Sequence, residues 1–241
     1  MESNDLTTNR RAFIGTLATG AAAMSLAGLA APLQTMAKEK HQFLGNDDDP
    51  DAWFKKLDSK KHRIVFDATN AHEAMPFIWP AVFMMTNQAT GTQPKDLGIV
   101  VILRHEAIPF AFEDKLWSKY NFGQVFKAGE LGAAFKAADY KTAANTRNPL
   151  WHPKEGDFQV PGFGNVNIGI DQLQEQGVMF AVCNAAMTVY SNALAQGMNM
   201  NAADVYNEWK SGLIPGVQIV PSGVWAVGRA QEHGCSYCFA G

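Results

Sequence analysis

Whatever chemistry this 241-residue chain performs rests on three cysteines, six histidines and a small set of loop residues, and Cys183 stands out among them. It closes the run Gly177-Val178-Met179-Phe180-Ala181-Val182-Cys183-Asn184, which is apolar between its opening glycine and the cysteine. A run of that length fits a strand buried on both faces of a parallel sheet, and crevices open at the carboxyl ends of such strands. A thiol placed there can face the amide N–H groups that open the next helix, an arrangement that favours the thiolate. The competing reading is a buried structural cysteine, a common fate for this residue.

Two histidines follow other apolar runs: His72 comes after residues 62–68, and His105 comes after residues 98–103 with Arg104 between. If these runs are parallel strands, His72, His105 and Cys183 leave the same sheet edge, with Glu73 and Glu106 adjacent and Asn70, Asn184 and Ser222 on the rim. A cysteine with two histidines is a set able to hold zinc, copper or iron, although no HxH, HExxH or paired CxxC spacing supports one and no cofactor is required. The same residues suit a base and an electrostatic partner for the thiol, with Arg104 attracting an anion such as a sulfur oxyacid. Cys235 and Cys238 have the spacing of a redox CxxC. In a strand, however, residues three apart point to opposite faces about 10 Å apart, beyond the roughly 7 Å Cα limit for a disulfide. Cys238 would lie nearer the exit end of its strand, so Cys183 with Cys238 is the better pair, the alternative being burial of one or both.

These residues need a frame to position them. Strands are expected at 62–68, 98–103, 177–183, 216–220 and 235–239, with helices between and no hairpin signals. That pattern predicts an α/β protein, a three-layer α/β/α sandwich with a mostly parallel five-stranded sheet whose strand order stays open. Helices are expected at 51–57, 76–88, 113–126, 129–138, 170–176, 185–196, 202–210 behind an Asn201 cap, and 223–232 behind a Ser222 cap. The helix at 76–88 has almost no polar face and must be covered by other elements or by another subunit. A long insertion at 139–169, rich in Asn, Pro and Gly, reads as a lid or a subunit contact.

Residues 1–37 read as an export signal: Arg10-Arg11 followed by Phe13-Ile14, a weakly apolar Ala/Gly/Leu run, and Thr35 and Ala37 at the −3 and −1 positions of a cleavage site. The paired arginines resemble the twin-arginine class, which is addressed to a dedicated translocation machinery and delivered to the periplasm; an uncleaved signal would leave the chain membrane-anchored. Residues 38–60 form a polar linker with Asn46-Asp47-Asp48-Asp49-Pro50 at its centre, from which Trp53 and Phe54 pack onto the domain at 61–241. A net charge of −3 without a basic, aromatic-interleaved stripe argues against nucleic acid as a partner. Three thiols are an odd count and no disulfide framework for a core of this size.

The run at 177–187, then Pro215-Gly216-Val217-Gln218-Ile219-Val220-Pro221-Ser222-Gly223-Val224-Trp225, then a helix ending Gln231-Glu232-His233-Gly234 before a last strand, resembles the DsrE/DsrF-like family with its YchN-like fold. The likeness spans residues 62–241 and is strongest near the C-terminus. The chain adds the export signal, the linker and the insertion. The resemblance implies a small α/β/α domain assembling into a homo-oligomer. It also implies a cysteine at the end of the third core strand, matched here by Cys183, that carries a persulfide in intracellular sulfur relay; for an exported chain the expected partners are small sulfur species or a periplasmic redox partner.

Overall fold

The computed structural model describes residues 49–129 and 143–241 in full, and the backbone alone of Lys136–Ala137. The export signal at 1–37, the first part of the linker and most of the helix expected at 129–138 lie outside the described residues. Asp49 caps a short helix α1 (Pro50–Phe54) by accepting from the Asp51 N–H at 3.0 Å, and a 3-10 turn (Lys55–Leu57) follows. Trp53, Phe54 and Leu57 are buried against the sheet, the packing expected of Trp53 and Phe54.

Five strands form one all-parallel sheet: β1 (His62–Ala68), β2 (Leu97–Leu103), and the later β6 (Val178–Cys183), β7 (Gln218–Val220) and β8 (Ser236–Phe239). Their order across the sheet is β7-β6-β2-β1-β8. The side chains alternate along the strands: Phe66, Val101 and Phe180 join the larger core cluster, and Val65, Val100 and Ala181 join the smaller one on the other face.

The larger face carries α2 (Met75–Ala89), a 3-10 segment (His105–Ala111), α3 (Asp114–Tyr120) and α4 (Phe122–Val125). It also carries α5 (Ile170–Glu175), α6 (Asn184–Gly197) and α7 (Ala202–Ser211). The smaller face carries α1 and α8 (Gly223–Glu232). This asymmetry follows from the path of the chain. The steps β1 to β2 to β6 to β7 all run one way across the sheet with helices on one face, and the return from β7 to β8 runs the other way. Right-handed crossovers then place α8 on the opposite face.

Two expectations are corrected. The helix at 113–126 is broken at Asn121, which adopts a left-handed conformation with φ 53° between α3 and α4. The insertion also holds a hairpin, turned at Pro161-Gly162, where no strands were expected. There β4 (Phe158–Val160) pairs antiparallel with β5 (Gly164–Asn165) and with β3 (Lys136–Ala137), the last at residues expected to be helical. The insertion is fastened to the body through Asn148, fully buried, whose Nδ2 donates to the Phe110 and Phe112 carbonyls at 3.1 and 3.0 Å while its Oδ1 accepts from Leu150 N–H at 3.0 Å.

Candidate functional site

The β6 exit leads into α6 on the larger face, and the β7 exit next to it leads into α8 on the smaller face. Adjacent parallel strands whose connections part in this way open a crevice at their carboxyl ends. Cys183 is the last residue of β6 and lies at that opening. It is also the N-cap of α6: its φ/ψ of −72°/108° is extended, and Sγ accepts from the Ala186 N–H at 3.3 Å. The backbone N–H groups of Gly223, at the start of α8, and of Ala185 also favour negative charge on the sulfur. Ala185 N–H donates to the Pro221 carbonyl at 3.2 Å, which ties the start of α6 to the β7 exit. Ser222 fulfils its expected cap role, its Oγ accepting from the Trp225 N–H at 3.2 Å. Two helix N-termini, both from helices of ten residues or more, thus converge on one thiol.

Arg104 leaves β2 on the same side. Its Nε and Nη2 donate to Oδ1 and Oδ2 of Asp67 at 2.6 and 2.9 Å, a bidentate pair in which the Asp67 side chain is 5% exposed and that of Arg104 27%. The Tyr237 hydroxyl donates to Asp67 Oδ2 at 3.0 Å, so the carboxylate is held by strands on both sides of β1. This pairing raises the Arg104 pKa, and the guanidinium charge favours a thiolate at Cys183. Gly223 lies against the arginine stem: a Cβ there would come within 2.4 Å of Arg104 Cβ and 2.7 Å of Cδ. Only glycine lets the start of α8 come this close.

At Cys183 burial outweighs these donors. It pushes the thiol up from its ordinary value, against the pull of the Ala186, Gly223 and Ala185 amides and of Arg104. The resting sulfur is a neutral thiol, 6% exposed, in a setting built to receive negative charge. Asn184 is fully buried and accepts from the Tyr206 hydroxyl at 2.7 Å through Oδ1, leaving its Nδ2 without a partner among the described residues. Asn70 Oδ1 is likewise buried and unpaired there.

The remaining expected residues do not converge. His72 binds Thr69 Oγ1 through Nε2 at 3.1 Å, lies edge-on to Phe239, and has its pKa lowered by burial. His105 is exposed and packs edge-on to Tyr190 of α6. Both exit loops turn through left-handed backbone, at His72, Glu73 and Ala74 and again at His105. Among the described residues no three His, Cys, Asp or Glu side chains are placed to hold a metal, so His72, His105 and Cys183 do not form the ligand set their exits suggested.

The pairing of Cys183 with Cys238 is also corrected. Their strands are separated by β2 and β1, three spacings of about 4.8 Å, and the register puts Cys238 level with Phe180, about 10 Å short of Cys183 along the strand. Both are free, as is Cys235, which packs on the smaller face while Cys238 packs on the larger. Sequence reasoning missed Asp67, Tyr237 and the contact of Gly223 with Arg104. An aspartate inside a buried strand is a signal, but its partner is known only once β2 is placed beside β1. A scan against family models finds no match for this chain, and a search of curated proteins finds none either.

Proposed function

We propose that this is an exported DsrE-like thiol protein in which Cys183 acts as a persulfide carrier or redox thiol in inorganic sulfur metabolism. The observation that carries the reading is the position of Cys183 Sγ at the β6/β7 crevice, faced by amides of two helix starts and by the Arg104 charge. Such a setting stabilises a sulfur anion at Sγ or one bond beyond it. With thiosulfate as donor, the Cys183 thiol loses its proton to water and the thiolate attacks the sulfane sulfur. A new S–S bond forms to Sγ, the bond from sulfane sulfur to sulfonate breaks, and its electron pair leaves with sulfite. Attack on the outer sulfur by an acceptor thiolate then returns Cys183 as thiolate. The paired arginines at 10–11, a periplasmic location with a redox partner there, and a homo-oligomeric state belong to the same reading.

Intact-mass analysis after incubation with thiosulfate or polysulfide tests it: wild type gains about 32 Da per sulfur and Cys183→Ser gains none. A wild-type protein with a free thiol that never gains sulfur refutes it. A second reading, a non-catalytic periplasmic module that binds a small anion, is favoured by the burial that keeps the thiol protonated. Under that reading Cys183→Ser still binds thiosulfate or sulfate by calorimetry, and Arg104→Met does not.

A further inference from the structure

At the opposite end of the sheet, α2 and the β4–β5 hairpin enclose a groove of about 570 Å³, a volume typical of small-molecule sites. Ile78, Val82 and Met84 form one wall, Val160 and Val166 the other, and among the described residues no charged side chain lines it. Trp79, Met85 and Phe163, three of the exposed large apolar side chains among the described residues, stand at its rim. This is where α2 shows the apolar face that its sequence leaves without a polar counterpart. A second, polar cavity of about 520 Å³ adjoins it: Met84, Gln88 and Gln176 line both, and Lys60, Lys95 and Glu175 line the second.

Lys60 Nζ donates to the Lys95 carbonyl at 2.8 Å, which holds its ammonium at this mouth with two N–H groups to spare. The neighbouring Lys61 is paired with Asp96, which also feels the Lys95 charge, and among the described lining residues two lysines stand against one carboxylate, Glu175, so the mouth is net positive. An uncharged apolar trough that opens onto two lysines fits a molecule with an apolar chain and an anionic head, and fits a flat protein surface poorly.

We propose that this composite cavity binds a single-chain anionic amphiphile, with the acyl chain along α2 between Val82 and Phe163 and the head group at Lys60 and Lys95. The site lies at the end of the sheet away from Cys183 and does not depend on the thiol reading. The head group is a carboxylate or a phosphate, as in a free fatty acid or a lysophospholipid.

Native mass spectrometry and calorimetry on the full chain test the assignment with three probes of equal chain length: hexadecanoate, palmitoyl-lysophosphatidylglycerol and hexadecanol. At least one anionic probe binds one to one, and which of the two binds more tightly identifies the head group. Hexadecanol binds about tenfold more weakly, a ratio that corresponds to about 1.4 kcal/mol. Lys60→Ala with Lys95→Ala brings the anionic probe down to the hexadecanol level, and Met85→Glu, at an exposed rim position that leaves folding intact, weakens all three. Absence of binding by both anionic probes overturns the proposal. So does binding that Met85→Glu leaves unchanged, or a dimer in sedimentation that Met85→Glu dissociates, since a second copy would then own the groove.

Discussion

Exchanging Arg104 for methionine separates two jobs of one side chain, because the guanidinium both neutralises Asp67 and bears on Cys183. The first job sets stability. Methionine keeps most of the stem but leaves the Asp67 carboxylate, 5% exposed, with only the Tyr237 hydroxyl as partner. Breaking a fully buried pair in this way costs about 3–5 kcal/mol. Arg104 is 27% exposed and water can follow the vacated path, so about 2–3 kcal/mol is expected. In urea that is a shift of the midpoint, and in a thermal scan a fall of about 4–12 °C for a domain of this size.

The second job sets reactivity. Removing a positive charge pushes the Cys183 thiol further up, and iodoacetamide alkylation at pH 7.5, about neutral, slows on the order of three- to tenfold. Asp67→Asn supplies the opposite sign: it leaves the guanidinium without its counter-ion, lowers the thiol pKa and speeds alkylation, although it too destabilises the fold. A purely structural role for the pair would move both rates the same way, as local opening exposes the thiol. Parallel acceleration in the two variants refutes the electrostatic assignment.

Two further outcomes concern the frame of the site. Asn148→Ala removes three buried hydrogen bonds and leaves two carbonyls and one N–H unpaired, so it lowers unfolding free energy by about 3–4 kcal/mol in urea while Asn148→Asp, able to serve only the Leu150 N–H, does no better. Alkaline pH weakens the wild type through Cys235, whose thiol burial pushes up to about 11 from an ordinary value of 9.0. The folded state holds that proton more tightly than the unfolded chain, so the stabilisation is complete below pH 9.0 and is lost as pH rises toward about 11. Cys235→Ala flattens the urea midpoint across that window, and an unchanged pH slope in the variant would show that the thiol contributes nothing.

Much of the frame is legible in the chain. Runs such as 98–103 and 178–183 are apolar on both faces because both faces of the sheet are covered, and Asn201, Ser222 and Gly177 mark helix and strand limits for local reasons. What the chain does not state is which strands touch. Parallel strands joined by helices carry no register signal between them, so the adjacency of β1 and β2 that unites Asp67 with Arg104 is invisible, and so is the separation that parts Cys183 from Cys238. His72 and His105 mislead for a different reason. Left-handed backbone at His72, Glu73, Ala74 and His105 is rare for residues with a Cβ, so the path each exit loop takes is not legible from residue type.

The arrangement around Cys183 constrains how the proposed thiol chemistry runs. Among the described residues no histidine or carboxylate is hydrogen-bonded to Sγ: His72 and His105 are engaged with Thr69, Phe239 and Tyr190, and Asp67 is engaged with Arg104 and Tyr237. With no base hydrogen-bonded to it, the rate of sulfur uptake follows the thiolate fraction alone and rises through one ionisation, without the bell shape of an acid–base pair. Burial keeps that fraction small at neutral pH. The donors serve the later state instead. A persulfide places its outer, anionic sulfur about 2 Å beyond Sγ, still within a crevice whose amides and guanidinium are already fixed by the Asp67 pair and the α6 and α8 caps. Under the proposed reading, these fixed donors would stabilise a persulfide anion on Cys183, a property that suits holding a sulfane atom.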